Sequence, residues 1–430
     1  MTPTAPASEK VSRAWPLLLL LFGINLLNYI DRYVLPGVLP LVEEAFPGVS
    51  KTGLGMLAPA FLVVYMIASP VFGLVGDRMR RFTLVGVGVQ LWSLATAAAG
   101  LARTFTQLFI TRMLVGVGEA SYVAVAPTII SDLYPVAARG RALSFFYVAI
   151  PVGSALGYLI GGAVGVAWGW RTAFYLVGLP GLLLGVACYF MPEPRRGGTE
   201  AVNAEQLARY LDRKLTLSDY LGLLRVRSFL INTLGMTAYT YAVGGISYWM
   251  PTYLHQERGI PLELATFRFG LVTVVAGIAG TLMGGALGDR LSRRIPGAYF
   301  LVCGVGMLLA FPAFYTALMH DSPPVYWAAI GVAEFFLFLN TGPSNTILVN
   351  VTMPRVRTAA VAFNVLIIHA LGDVLSPVIM GRVADSSSLG NAFLSTVGVV
   401  LLSGVIWLLG MPSLARDTAR VTTRMQEEAG

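Results

Sequence analysis

Roughly twelve stretches of about 20 or more mostly apolar residues recur along this chain, each long enough to cross the hydrocarbon core of a bilayer as a helix. They cover 15-39, 53-76, 83-102, 105-130, 142-166 and 171-191, then, past a polar stretch, 229-254, 265-288, 297-319, 324-350, 358-384 and 390-411. A spanning segment must satisfy its own backbone hydrogen bonds, so the expected fold is an all-α membrane protein of twelve transmembrane helices. Composition agrees, because 56% hydrophobic and 12% charged residues leave too few charges to cover a soluble surface. The first stretch follows Lys10 and Arg13, as a signal peptide would, yet it is too long and no small-residue cleavage site follows. It reads as a retained first span.

The formal charge of +8 would suggest nucleic acid in a soluble chain, but here the location of the charges matters more. With the N-terminus placed in the cytoplasm, 22 of the 30 Lys and Arg fall at cytoplasmic loops or tails. Lys51, Arg103, Arg171, Arg258 and Arg268 face out, and Arg32, Arg112 and Arg382 lie inside apolar runs. This positive-inside asymmetry puts both termini in the cytoplasm and excludes a nucleic-acid partner. Three lysines against 27 arginines, short loops and no outward-facing glycosylation sequon fit a bacterial inner membrane. Cys188 and Cys303 both lie within apolar runs, so neither a disulfide framework nor a zinc site is expected.

The chain repeats itself at about half its length. Gly73-Leu-Val-Gly-Asp77-Arg78, ahead of Arg80 and Arg81, recurs 212 residues later as Gly285-Ala-Leu-Gly-Asp289-Arg290, ahead of Arg293 and Arg294. Arg139-Gly-Arg141-Ala recurs as Arg355-Val-Arg357-Thr-Ala at an offset of 216, and Leu39-Pro40 as Met250-Pro251 at 211. Duplication of a six-helix bundle follows. The expected organisation is a tail (1-14), a bundle (15-191), a cytoplasmic linker (192-228), a second bundle (229-412) and a tail (413-430). In the linker, Leu207, Leu211, Leu215, Tyr220 and Leu221 suggest an amphipathic surface helix. No phosphate-binding glycine-lysine loop, dinucleotide fingerprint or nucleophile elbow occurs, so neither ATP hydrolysis, a cofactor nor covalent catalysis has a basis.

The Gly-x-x-x-Asp-Arg-x-x-Arg pattern after the second span, repeated after the eighth, resembles the loop signature of the major facilitator superfamily, with Arg80 where that signature prefers glycine. Three stretches resemble its spinster group of lipid transporters: NLLNYIDRYVLPGVLP in the first span, RMLVGVGEASYVAVAPTIISDLY in the fourth and HALGDVLSPVIMGRVAD in the eleventh. The resemblance implies two pseudo-symmetric bundles, proton-dependent transport of a sphingolipid or lysophospholipid, and loops that stabilise the outward-open state. Gly153, Gly157, Gly161 and Gly162 resemble the superfamily's antiporter signature, with Tyr158 in place of its proline, and read first as a helix-packing stripe.

Ionisable side chains at membrane depth face a cavity or a partner by default. At about 1.5 Å per residue, Asp31 and Arg112 reach similar heights and can pair if their helices touch. Glu119, two turns deeper than Arg112 and beside Gly116 and Gly118, is the first candidate proton carrier, with Asp31 next. A structural lock for Asp31 and Arg112, and a permanently hydrogen-bonded acid for Glu119, are the alternatives. Asp31 shifted by 211 lands on Ala242, so the duplicated architecture does not require the charge. His369 and Asp373, four residues apart, form either a proton relay or a packing pair, without a third clustered ligand for a metal.

Arg32 and Arg112 would hold an anionic headgroup, since a guanidinium forks onto its oxygens. Tyr239 and Tyr241 would line an acyl chain, while Tyr248 and Trp249 belong to the outer aromatic belt. Glu334 is expected either in the substrate-cavity wall or hydrogen-bonded to a neighbouring helix. The loop arginines fit the positive-inside rule, while Asp77 amid Arg78 and Arg81, and Asp289 beside Arg290, suit inter-helix salt bridges that close the cytoplasmic side. The reading is a monomeric secondary transporter, with an amphipathic lipid, protons and membrane lipids as its partners. A facilitator or symporter for small organic anions or sugars, and a lipid-modifying enzyme or transport-inactive receptor, are the competing readings.

Overall fold

The computed structural model describes residues 7–123, 125–134, 136–194 and 222–429. The linker helix expected around Leu207, Leu211, Leu215, Tyr220 and Leu221, and the side chains of Asp77 and Arg78, lie outside the described residues. Among the described residues all regular structure is helical. In chain order the helices are α1 (Ala7–Ala45), α2 (Lys51–Gly55), α3 (Leu57–Arg78), α4 (Arg81–Ala99), α5 (Phe105–Val123), α6 (Ala126–Leu133), α7 (Val136–Trp168) and α8 (Trp170–Tyr189). They continue as α9 (Arg227–Gln256), α10 (Leu262–Ser292), α11 (Ala298–Met319), α12 (Pro323–Phe338), α13 (Thr341–Asn350), α14 (Pro354–Ile368), α15 (Ser376–Ser386) and α16 (Leu389–Ala429). A single π turn, His369–Asp373, joins α14 to α15.

Eleven helical stretches among the described residues are long and apolar enough to span a membrane, against the twelve expected. The exception is α9, which has the length, at 30 residues, but is diluted by Asn232, Thr233, Thr237, Tyr239, Thr240, Tyr241 and Tyr248. Those side chains find internal partners. Asn232 donates to Ser344 O at 3.0 Å and accepts from Trp407 Nε1 at 3.1 Å, and Thr233 donates to Asn364 Oδ1 at 2.8 Å. Satisfied inside protein, a polar helix tolerates membrane depth.

The chain forms two compact units. The first comprises Met1–Val49, Met56–Ala204 and Leu254–Gly270, and the second Ser50–Gly55, Glu205–Tyr253 and Leu271–Gly430. In the first, α7 lies along α1 through the predicted glycine stripe. A methyl group on Gly153 would sit 2.7 Å from Tyr29 Cβ, on Gly157 2.7 Å from Ile30 O, and on Gly161 2.7 Å from Val34 O. Only hydrogen fits there, so the backbones meet over the three turns of α1 that carry Asp31 and Arg32.

Within the second unit, α2 docks on α15. The Asp385 carboxylate accepts from Lys51 N at 2.6 Å, Thr52 N at 2.9 Å and Thr52 Oγ1 at 2.6 Å, satisfying amide groups that open the short helix. Gly381 packs on the Lys51 carbonyl and Gly55 on the Pro377 carbonyl. Tyr248 donates to Leu54 O at 2.6 Å and Trp249 Nε1 to Pro377 O at 2.9 Å. Both rings are buried, which corrects their assignment to an aromatic belt: they are internal hydrogen-bonding residues.

Candidate functional site

Four of the intramembrane charges meet in the first unit. Asp31 and Arg32 are consecutive on α1, so their side chains leave the helix about 100° apart and reach different partners. Arg32 Nη2 lies 2.7 Å and Nε 2.8 Å from Glu119 Oε2, a two-pronged contact to one oxygen. Arg112 Nη1 lies 3.3 Å and Nη2 3.5 Å from Asp31 Oδ1, while Thr96 Oγ1 on α4 donates to the other Asp31 oxygen. The expected Asp31 and Arg112 pair is therefore formed. Glu119 is paired with Arg32. Arg112 and Glu119 are seven residues apart on α5, about 10 Å along the axis, too far for one guanidinium to serve both carboxyls.

Exposure separates the members. Glu119 is 0% exposed, and Asp31 and Arg112 are nearly as buried, whereas the Arg32 side chain retains 22%. The Arg32 guanidinium is also the one set among several rings, 4.8 Å from the centroid of Phe61 and 5.3 Å from those of Tyr29 and Tyr65. Arg112 is closed in by Phe174 at 5.2 Å. Two guanidiniums and two carboxylates sum to zero, which makes charge burial at this depth tolerable. Arg32 is the most exposed member of the cluster.

The second unit holds the remaining candidates. His369 Nδ1 is 2.9 and 3.0 Å from the two Asp373 oxygens across the π turn, so the pair forms as its spacing suggested. That turn sits where α9 is thinned by glycine: a methyl group on Gly372 would lie 3.0 Å from Tyr241 N, and Gly244 abuts Asp373. Glu334 on α12 is buried and accepts from Thr273 Oγ1 on α10 at 3.1 Å, with Oε2 unpartnered among the described residues. Tyr241 is half-buried, and Tyr239 packs on Trp407 with ring centroids 6.1 Å apart.

At the chain's loop motifs the pairing is richer than the sequence suggested. Buried Arg81 binds Asp132 Oδ2 at 2.6 Å, Glu193 Oε1 at 2.8 Å and Pro194 O at 3.0 Å, and Arg80 donates to Met191 O at 3.0 Å. Asp132 and Glu193 were not singled out in the sequence, although Glu193 stands between two prolines just beyond the sixth span and opposite a known arginine cluster. Asp289 accepts a hydrogen bond from Tyr299 at 3.0 Å, and among the described residues neither it nor Arg290 forms the expected salt bridge. Both are exposed, so solvation offsets the cost of leaving their charges without an ion pair among the described residues.

Residues 21–377 match the Major Facilitator Superfamily model. The chain is 36% identical over 408 residues to protein spinster homolog 3 of Danio rerio, covering 90% of this chain and 81% of that one. It is 37% identical over 396 residues to protein spinster homolog 1 of Xenopus laevis, covering 87% and 74%. Among solved structures, a bacterial homolog of the human lysosomal transporter Spinster, in an inward-facing and unoccupied conformation, aligns with a TM-score of 0.84 at 23% identity, over 96% of this chain and 99% of that one. A D-xylose-proton symporter aligns with a TM-score of 0.70 at 19% identity, over 92% and 97%.

Proposed function

The chain belongs to the major facilitator superfamily, in its spinster family, and on that premise we propose that it carries an amphipathic lipid with an anionic headgroup, coupled to protons. It is a multi-pass membrane transporter and not an enzyme. The observation that carries the finer reading is the pairing of partly exposed Arg32 with fully buried Glu119. While Glu119 is ionised, the two-pronged contact occupies Arg32, and an anionic headgroup would have to compete with a carboxylate already in place. A proton on Glu119 removes that competitor. Arg32 is then free to fork onto a phosphate, and the net charge of the loaded cluster is unchanged. Proton and anion thus favour each other's binding, the thermodynamic requirement for coupled transport.

The rings of Tyr29, Phe61 and Tyr65 around Arg32 suit the glycerol or alkyl portion next to the headgroup. Arg112 and Asp31 hold α1 and α5 in register and set the electrostatic background. Tyr241, Glu334, His369 and Asp373 are the second unit's candidates for substrate and proton contacts, while Tyr239, packed at a tilt against Trp407, is better explained as packing. Asp77, Arg78 and Arg81 are proposed to gate the cytoplasmic side of a bacterial inner-membrane protein whose termini are both cytoplasmic.

Reconstitution tests the substrate class. Uptake of fluorescent lysophosphatidate into proteoliposomes should exceed that into protein-free vesicles, persist with excess D-xylose or benzoate, and fall at least about tenfold in Arg32→Gln. Uptake of xylose or benzoate in place of lipid would overturn the lipid assignment.

A further inference from the structure

Beside the Arg32 contact, the buried face of α1 presents a second polar group whose hydrogen-bonding needs are not met in full among the described residues. Asn28 is fully buried, one turn before Arg32 on the same face of the helix. Its amide nitrogen is turned toward the Glu119 carboxyl without reaching normal hydrogen-bond geometry, and its amide oxygen has no partner among the described residues. The Asn28 amide lies beside Glu119, whose Oε1 also lacks a partner. A buried amide with neither end fully satisfied is rare, because each unmet group forfeits its solvation.

We propose that Asn28 is the positioning residue that receives the Glu119 carboxyl when it carries a proton. The inference rests on the proton-carrying role proposed for Glu119. An ionised carboxylate offers acceptors alone, so it could engage the Asn28 amide nitrogen while the amide oxygen stayed orphaned. A neutral carboxyl offers one O–H and one C=O, which match the amide oxygen and amide nitrogen in a closed, doubly hydrogen-bonded pair. Arg32 has the opposite character, since a guanidinium carries donors only and matches only the ionised form. One turn of α1 therefore presents two receptors for one side chain: Arg32 for the carboxylate and Asn28 for the acid. Rotation of Glu119 from one to the other would release Arg32 without leaving a protonated carboxyl unpartnered. The other groups facing Glu119 are Tyr29 and Asp31 from α1, Tyr65 from α3, and Tyr122 along its own helix. None of these combines a donor and an acceptor in amide geometry.

The test needs no substrate. Infrared spectra of purified wild-type protein, titrated with pH, should contain a protonated-carboxyl C=O band that is absent from Glu119→Gln. In Asn28→Leu that band should titrate about one unit toward acid, a tenfold weaker hold on the proton. In Asn28→Asp it should move toward alkaline pH, because two adjacent carboxyls share a proton. Either variant suffices if the other does not fold. A Glu119 band that stays at the wild-type midpoint in both variants, whatever their stability, would overturn the role of Asn28 while leaving the carrier role intact. Absence of any band that depends on Glu119 would overturn both.

Discussion

Asp31 and Arg112 exemplify what a buried pair demands. Each is nearly inaccessible, and the Arg112 Nε has no partner among the described residues, so the guanidinium is held by its contacts to a single Asp31 oxygen and by Phe174. Removing one member strands the other. We expect Arg112→Gln alone to destabilise the protein by about 3–5 kcal/mol, and Asp31→Asn added to it to restore much of the loss, as read from thermal melting in detergent. Equal melting losses in the single and double variants would show that the two charges are not coupled. Transport should stay impaired in both, because neutralising the pair changes the field at Arg32. The pair itself was legible in the sequence from helix heights and direction. The choice of Arg32 by Glu119 was not, since it depends on the rotation of α1 about its axis, which hydropathy does not fix.

Helix α7 shows how an element places those residues. Its glycines bring α1 to backbone contact over Tyr29–Val34, so the height and rotation of Asp31 and Arg32 depend on side chains that are absent. Gly157→Leu should therefore reduce folded yield severely, by mechanisms that cost several kcal/mol when a large side chain is forced into a packed interface. Normal yield and a normal Arg32→Gln phenotype in that background would contradict the contact. The glycine pattern was readable in the sequence as a packing stripe, though the helix it packs on was not. Docking of α2 was unreadable, because Asp385 captures amides 333 and 334 residues away. Asp385→Ala should raise hydrogen exchange at the Lys51 and Thr52 amides by about tenfold or more, as expected for losing charge-assisted bonds of roughly 1.5 kcal/mol or more, and leave α4 unchanged. Unchanged exchange at Lys51 and Thr52 would mean that other contacts hold the segment. The length of α9 was readable in the sequence, but the partners of its polar residues were not, because they lie 112 to 175 residues away.

At the scale of the molecule, an all-α membrane fold and membership of a transporter superfamily were already written in hydropathy, charge placement and the repeated loop motif. Function depends on a far smaller set of atoms. The central claim is that one proton on Glu119 and one anion on Arg32 enter together, so that lipid movement drags protons with it. The direct measurement is the internal pH of proteoliposomes loaded with a pH-sensitive dye, followed after lysophosphatidate is added outside with no imposed gradient. The account predicts acidification in wild type beyond that of protein-free vesicles, and loss of this acidification in Glu119→Gln while counterflow exchange of labelled lysophosphatidate survives. Lipid uptake without acidification in wild type, or acidification in Glu119→Gln equal to wild type, would contradict it.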